Sequence, residues 1–247
     1  MATRTRLYIE TPLQSGQELE LNESQGHYLL NVMKLVPGDL FNGFDGHSGE
    51  YEISILSAAK KHCRAKVGNC LKKFQAVPDI WLLFAPVKKD QTDFIIQKAV
   101  ELGIRKIIPV ITRYTISDRI KKERFIAQSI EAAEQCRRVD IPEIEDAASL
   151  EKLLARWDRN RRLYYMDETR HGQPVQKVFA HAAAPAAILV GPEGGFSAEE
   201  LKQLRSLDFA KGVTLGPRIL RAETAVAAAL SCWQALSGDW TNYTEGD

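Results

Sequence analysis

The sequence predicts a two-domain α/β protein, in which a small, mostly β domain precedes a larger domain built on a parallel sheet. Up to about residue 73, short segments that alternate between apolar and polar side chains are separated by turn residues. From residue 78 onward, continuous apolar runs alternate with helical patterns, which is typical of a parallel sheet covered on both faces. We therefore predict one domain over residues 1–73 and a second over residues 74–247.

The first domain is expected to hold several strands and one short helix. Residues 6–10, 18–21 and 50–56 alternate as half-buried strands do. Residues 24–35 instead place their apolar side chains on one side of a helix. This mixture predicts a small β-barrel or sandwich with a single helical interruption.

The second domain is expected to alternate strands and helices. Its predicted strands are residues 80–85, 106–112, 163–167, 186–190 and 212–215. Its predicted helices are residues 92–102, 123–138, 150–157, 175–182, 198–207 and 222–236. In sheets of this kind, ligands bind at the carboxyl ends of the strands.

Composition excludes several classes of protein. The chain has 247 residues, of which 45% are hydrophobic, and no apolar stretch is long enough to span a bilayer. The basic start has no apolar segment after it, so we expect no signal peptide, no membrane contact and a cytoplasmic location. The cysteines form no C-x-x-C pair and have no histidine at ligand spacing, so we expect neither disulfides nor a metal; they are Cys63, Cys70, Cys136 and Cys232.

Charge is unevenly distributed along a chain whose formal net charge is only +1. No acidic residue occurs between Glu52 and Asp79, and this interval contains six basic residues: Lys60, Lys61, Arg64, Lys66, Lys72 and Lys73. One interpretation is an ordinary solvated face, and the other is a surface that follows the phosphates of a nucleic acid. The charge pattern alone leaves both open.

Two consecutive predicted strands end in glycine loops of similar build. "LVGPEGG" covers residues 189–195, and "LGPRILR" covers residues 215–221. In each loop Gly-Pro directly follows the strand, so that glycine permits a close approach to the main chain and proline restricts one backbone angle. We therefore predict a binding site formed by both loops. The alternative is a pair of tight turns that bind nothing.

The residues of these loops argue against a phosphate ligand. Neither the P-loop spacing nor the G-x-G-x-x-G fingerprint is present after Gly191. The first loop instead carries the carboxylate of Glu193 where a pyrophosphate would lie. These observations favour an adenosine or a cationic ligand.

Helix-capping patterns follow both loops. Ser197 and Glu200 fit a capping box, so we interpret Ser197 as an N-cap rather than a nucleophile. Glu223 and Thr224 also suit the first turn of a helix. Arg221 does not, because a cation near a helix N-terminus is mildly unfavourable. Arg221 is therefore predicted to face a ligand.

The motifs "LVGPEGGFSAEE" and "LGPRILRAETA" resemble those of the RsmE-type 16S rRNA (uracil-N3)-methyltransferases, which belong to the SPOUT class. The resemblance extends over nearly the whole chain. "HYLLNVMKLVPGD" and "FDGHSGEYE" are similar to the PUA-like N-terminal barrel of that family. "DFIIQKAVELG" and "EAAEQCRRVDIPEI" are similar to its catalytic domain. The sequence departs at Lys34, where many relatives are expected to have arginine, and this leaves the RNA contact there open.

The resemblance implies a fold that patterning does not predict. Patterning suggests a Rossmann-like sheet, because threaded chains are nearly excluded. In SPOUT relatives the last strands and helix instead form a deep trefoil knot, whose crossing loops bind S-adenosylmethionine. Those relatives are homodimers with the active site completed near the subunit interface. We therefore expect a homodimer that acts on 16S rRNA of the small ribosomal subunit.

The resemblance also implies roles for individual residues. The expected cofactor-binding residues are Leu189, Val190, Gly191, Pro192, Glu193, Gly194, Leu215, Gly216, Ile219, Leu220, Thr224 and Ala225. Lys34 and the six basic residues of the interval without acids are expected to bind RNA.

The expected reaction needs a base and an anion-stabilising group. Uracil N3 is a poor nucleophile until its proton leaves. Arg221 is expected to stabilise the developing anion, and Glu223 or Glu193 to take the proton if burial raises its pKa. It is equally open that both carboxylates bind cofactor hydroxyls or orient Arg221. Methylation of another RNA position and a non-catalytic RNA-binding role are the alternative functions.

Overall fold

The computed structural model describes residues 4–59, 62–116 and 120–242, with the side chain of residue 242 excepted. The chain forms two compact units. The first contains the residues up to Ala76 together with Ala133–Ile141, and the second contains Val77–Ala132 and the residues from Pro142 onward. Sequence patterning did not indicate that residues 133–141 join the first unit. The predicted domain division between residues 73 and 74 stays a prediction.

The first unit is built on a five-stranded sheet with the order β1-β3-β4-β5-β2. Its strands are β1 (Arg6–Tyr8), β2 (Glu18–Leu21), β3 (Leu40–Phe44), β4 (Gly49–Ala59) and β5 (His62–Lys73). β1 pairs with β3 in parallel, and the other pairs are antiparallel. This confirms the predicted mostly β domain.

The predicted helix of the first unit consists of two short pieces. A capping box between Asn22 and Gln25 starts α1 (Glu23–His27), and a π-helix (Tyr28–Val32) continues it. Lys34 has a positive φ of 59°, a conformation incompatible with a continuing helix. The helix therefore ends before residue 35, where the apolar pattern had placed its end.

Arg6 lies in β1 and is almost fully buried. Its guanidinium donates two hydrogen bonds to the Glu50 carboxylate, of 3.2 Å from Nε and 2.9 Å from Nη2. It also donates to three main-chain carbonyls at 2.7, 2.9 and 3.0 Å, those of Ala133, Glu134 and Arg138. Because a buried charge is tolerated only when it is paired and hydrogen-bonded, these contacts account for the membership of residues 133–141 in this unit.

The second unit contains an eight-stranded parallel sheet. Its main order is β11-β13-β10-β12-β6-β7-β8, and β9 pairs with β7. The strands are β6 (Ile80–Phe84), β7 (Lys106–Ile111), β8 (Glu143–Ile144), β9 (Ala148–Ser149), β10 (Arg162–Met166), β11 (Gln173–Pro174), β12 (Ala186–Val190) and β13 (Ala210–Thr214). The helices are α2 (Lys89–Glu101), α3 (Lys122–Cys136), α4 (Leu150–Ala155), α5 (Val175–Phe179), α6 (Ala198–Ser206) and α7 (Ala222–Leu236), and the residues of α3 from Ala133 onward belong to the first unit.

Strand β12 shows why this sheet is covered on both faces. All five of its residues are buried. Ile188 belongs to an apolar cluster with residues of α2, α5 and α7, whereas Leu189 belongs to a second cluster with residues of α4 and α6. The predicted parallel sheet with helices on both faces is therefore confirmed. The trefoil knot implied by the resemblance stays a prediction. No helix in the described part of the chain is long and apolar enough to cross a membrane.

Replacing Arg6 by Ala should strongly destabilise the first unit. The substitution leaves the buried Glu50 carboxylate without its cation, and removing one partner of a buried pair costs about 3–5 kcal/mol. The free energy of unfolding from a urea titration measures this loss. Arg4→Ala is the matched control, because the Arg4–Glu52 pair is partly exposed and such pairs contribute about 0–1 kcal/mol. Equal stability of the two variants would contradict the structural role of Arg6.

Candidate functional site

A pocket of about 630 Å³, its open mouth included, lies at the carboxyl ends of β10, β12 and β13. β10 lies between β13 and β12 in the sheet, so the loops that follow these three strands adjoin. Most of the predicted cofactor residues line this pocket: Val190, Gly191, Pro192, Glu193, Leu215, Gly216, Ile219, Leu220 and Ala225.

Three predicted cofactor residues are not among the lining residues. Leu189 is fully buried, with its side chain in the apolar cluster that contains residues of α4 and α6. Gly194 is exposed and lies against Tyr114, because a Cβ there would come within 3.1 Å of the Tyr114 Cβ. Thr224 is exposed in the first turn of α7. A cofactor contact of these three residues stays a prediction.

The first glycine loop folds back on itself. The N–H of Gly195 donates to the carbonyl of Pro192 at 2.9 Å, and Gly195 has a positive φ of 70°. The Phe196 ring packs against Gly191, where an added Cβ would meet two ring carbons at 3.1 Å. Glycine at both ends therefore allows the close approach of the main chain that the sequence indicated.

The helix after this loop begins with the predicted capping box. Ser197 Oγ accepts the N–H of Glu200 at 3.2 Å, and the Glu200 carboxylate accepts the N–H of Ser197 at 2.8 Å. The second oxygen of Glu200 accepts the N–H of Arg113 at 2.8 Å. Ser197 is therefore an N-cap, as the sequence predicted.

The second glycine loop contains main-chain N–H groups that have no acceptor in the described part of the chain. Gly216 has a positive φ of 114°, and Ile219 is 77% exposed. Within the described residues, the N–H groups of residues 218–220 have no hydrogen-bond acceptor, nor do those of Glu193 and Gly194 in the first loop. The pocket thus combines open main-chain donors with the apolar side chains of Val190 and Leu215. This combination suits a ligand with both a flat apolar ring and polar groups.

Sequence reasoning missed a third wall of the pocket, formed by Met166 at the end of β10 and by Asp167, Glu168 and Arg170 after it. Asp167 is buried, and its carboxylate accepts the N–H of Thr169 at 2.9 Å and pairs with Arg205 at 3.3 Å. Burial, followed by the nearby charge of Asp167, raises the pKa of the Tyr165 phenol. The signal that could have found this wall is the charged run "DETR", which begins on the last residue of a predicted strand, because ligands bind at strand ends.

The three predicted catalytic residues occupy different positions. Glu193 is exposed and lines the pocket. Arg221 is the N-cap residue of α7, is exposed, and makes no side-chain capping bond. Glu223 lies in the first turn of α7, and its Oε2 is buried with no hydrogen-bond partner in the described chain. Ala222, between Arg221 and Glu223, lines the pocket, but the side chains of Arg221 and Glu223 do not.

The predicted RNA-binding residues lie in the first unit. Lys60 and Lys61 fall outside the described residues, while the others in that interval are exposed on β5: Arg64, Lys66, Lys72 and Lys73. Strand β2 places Glu20 opposite Arg64 and Glu18 opposite Lys66, and Arg64 forms an ion pair with Glu18. Part of this basic surface is therefore neutralised by a strand that is distant in sequence. Lys34 is exposed as well.

Metal chemistry finds no support among the residues that the structure describes. No group of three or more His, Cys, Asp or Glu side chains there is arranged to hold a metal ion. The absence of a metal stays a prediction.

Family models match both parts of the chain. A model described as "RNA methyltransferase domain" matches residues 75–234, which is more than half of the chain. A second model, described as "RNA methyltransferase PUA domain", matches residues 21–68. The second match confirms the PUA-like character predicted for the N-terminal domain.

Similar proteins and structures cover nearly the whole chain. A ribosomal RNA small subunit methyltransferase E from Rickettsia conorii is 33% identical over 92% of this chain and 93% of its own length. A putative methyltransferase from Legionella pneumophila, solved with bound S-adenosylmethionine, is 30% identical with a TM-score of 0.86, and the match covers 96% of this chain and 100% of that one. A ribosomal RNA small subunit methyltransferase E from Neisseria gonorrhoeae, also bound to S-adenosylmethionine, is 29% identical with a TM-score of 0.85, covering 96% and 99%.

Proposed function

The chain belongs to the ribosomal RNA small subunit methyltransferase E family, and from this premise we propose that it methylates N3 of a specific uridine in 16S rRNA with S-adenosylmethionine as donor. The observation that carries the proposal is the pocket at the carboxyl ends of β10, β12 and β13. Its walls are the two glycine loops whose residues resemble those of this family.

The pocket residues fit S-adenosylmethionine. Val190, Leu215 and Leu220 offer apolar surface to an adenine ring, and the open N–H groups of both loops offer donors to its polar edge. Charged side chains of both signs lie in the lining, which suits a ligand with both positive and negative groups; they include Arg170, Glu193 and Arg218. When bound, S-adenosylmethionine supplies a methyl group already activated by the sulfonium charge.

Arg221 is the proposed anion-stabilising residue. Uracil N3 must lose its proton before it becomes a good nucleophile, and the negative charge then spreads onto the two carbonyl oxygens beside N3. A guanidinium already in place stabilises that charge without reorganisation of solvent. The exposed side chain of Arg221 carries no ion pair within the described residues and is free to meet the base. Holding N3 in line with the methyl group lowers the barrier further.

Glu223 is the proposed proton acceptor. One of its carboxylate oxygens is buried and unpaired in the described chain, whereas Glu193 is exposed. A buried oxygen without a donor is poised to accept a hydrogen bond or a proton from a bound substrate. The competing role for both carboxylates is to hold cofactor hydroxyls or to orient Arg221.

The proposed substrate complex involves more than one chain. Arg221 lies outside the lining of the pocket in a single chain, and Ile219 in that lining is 77% exposed. We therefore propose a homodimer in which the partner subunit completes the site. The target uridine must be exposed from its surroundings, since N3 lies on its pairing edge. We propose that this occurs within the small ribosomal subunit, in the cytoplasm, with the first unit gripping RNA.

Incubating the protein and S-adenosylmethionine with small ribosomal subunits that lack the modification should produce a reverse-transcription stop at one uridine. The reason is that N3 methylation blocks base pairing. Free 16S rRNA tested alongside decides which form of the substrate is preferred, and omission of S-adenosylmethionine is the control. A methylated product without a stop would assign another position, and an absence of both product and cofactor binding would indicate a non-catalytic RNA-binding role.

Replacing Arg221 by Ala should lower the single-turnover rate by about 10²–10³-fold, the usual cost of removing a group that stabilises a developing anion. The Kd for S-adenosylmethionine should stay within a few-fold, because main-chain groups hold the cofactor. Arg159→Ala, at an exposed arginine paired loosely with Asp208, is the control for loss of a positive charge. An unchanged rate in the Arg221 variant would remove this residue from the mechanism.

Replacing Lys66, Lys72 and Lys73 together by Gln should weaken RNA binding and flatten its salt dependence. A plot of log K against log[salt] has a negative slope, and each lost phosphate contact reduces the magnitude of that slope by about 0.7–0.9. A filter-binding titration at several salt concentrations measures the slope. The charge-matched control changes three exposed lysines of α4, α5 and α6 to Gln: Lys152, Lys177 and Lys202. Equal slopes for the two variants would assign the lysines of β5 to an ordinary solvated face.

A further inference from the structure

The loop after β10 contributes a carboxylate to the pocket that neither the sequence motifs nor the proposed reaction uses. Glu168 is half-buried and lines the pocket together with both glycine loops. Its side chain reaches across to the loop after β12. Its Oε1 accepts the main-chain N–H of Phe196 at 2.9 Å. A hydrogen bond to a carboxylate is roughly twice as strong as one between neutral groups.

The first glycine loop is shaped to receive this carboxylate. A Cβ on Gly195 would come within 2.3 Å of Glu168 Oε1 and 3.0 Å of its Cδ. A side chain at residue 195 would therefore push the Glu168 carboxylate out of this position. Gly195 also has a positive φ of 70°, which any other residue would adopt with strain.

Phe196 connects this contact to the start of the loop through the packing of its ring. Its ring is buried and packs against Gly191, the first residue after β12. The bond from Glu168 thus holds one end of the loop, and the Phe196 ring holds the other. The residues between them include Pro192 and Glu193, which line the pocket.

The residue before Glu168 is held in place by its own hydrogen bonds. The N–H of Asp167 donates to the carbonyl of Val213 at 2.8 Å, and this bond fixes the loop after β10 to β13. The Asp167 carboxylate is held by Arg205 at 3.3 Å and by the N–H of Thr169 at 2.9 Å. The pair Asp167-Glu168 therefore links β13 on one side to the first glycine loop on the other.

We infer that Glu168 is a positioning residue, which keeps the first glycine loop in its binding shape by accepting the N–H of Phe196. The inference rests on the proposed function, because the ligand of that loop is S-adenosylmethionine. Glu168 acts through the loop and not by contact with the reacting atoms. The position of the loop thus depends on a side chain long enough to place an acceptor oxygen at the Phe196 N–H, and the negative charge of Glu168 is secondary.

Three substitutions of Glu168 distinguish the effect of its side-chain length from the effect of its negative charge. Glu168→Gln keeps an acceptor oxygen at the same reach and removes the charge. Glu168→Asp keeps the charge and shortens the side chain by one methylene, and Glu168→Ala removes both. Glu199→Ala is the matched control, since Glu199 is an exposed acid in the first turn of α6 outside the pocket lining. The Kd values for S-adenosylmethionine and S-adenosylhomocysteine are measured by calorimetry, and the thermal midpoint is measured without ligand.

The Ala and Asp variants should bind both ligands about tenfold more weakly, as expected for loss of one hydrogen bond to a charged group. The Gln variant should stay within about threefold of the parent protein, because its amide oxygen preserves the bond. The Glu199 control should match the parent. The Asp and Gln variants both keep a polar side chain at this half-buried position, so their comparison decides the question even when the Ala variant fails to fold.

Two results would overturn the inference. Equal weakening in the Gln and Ala variants would mean that the charge of Glu168 meets the ligand directly. Unchanged Kd values with a lowered thermal midpoint would mean that Glu168 only stabilises the fold. Failure of the proposed function looks different, because the parent protein itself would then show no saturable binding of either ligand.

Discussion

Parallel pairing of β13, β10 and β12 is the constraint on which the candidate site depends. Parallel strands end at the same edge of a sheet, so the loops after these three strands meet even though about 50 residues separate the first from the last. All five residues of β12 and four of the five in β10 are buried, whereas β13 buries only Val213. Chemistry is carried by the loops, where glycines allow close approach of the main chain and charged side chains can reach solvent.

Polar contacts hold these loops in fixed positions relative to one another. Glu168 reaches Phe196 in the neighbouring loop, and Glu200 joins its own N-cap to the main chain of Arg113. Asp167 is tied to β13 through its main chain and to α6 through Arg205. A cofactor pocket made largely of main-chain groups needs this support, since open N–H donors are useful only when their positions are maintained.

The first unit shows how tertiary structure changes the meaning of a charge pattern. The interval around β5 has no acidic residue in sequence, yet β2 places Glu18 and Glu20 across from Arg64 and Lys66. Arg6 is the opposite case, because a residue that looks like part of an exposed basic start is buried and pairs with Glu50. It also donates to carbonyls of residues 133–138, a segment that follows β1 by more than 120 residues in sequence and belongs to the same unit.

The sequence by itself determined the order of elements, the parallel sheet, both glycine loops and the family. β12 and α7 match the expected residues 186–190 and 222–236 at both ends, because long apolar runs and helix periodicity are local signals. The two-residue strands β8, β9 and β11 were missed, since two residues cannot show an alternation. Only the tertiary structure decided that residues 133–141 join the first unit and that Glu168 accepts the N–H of Phe196. Those outcomes depend on contacts between residues far apart in the chain, which no local pattern records.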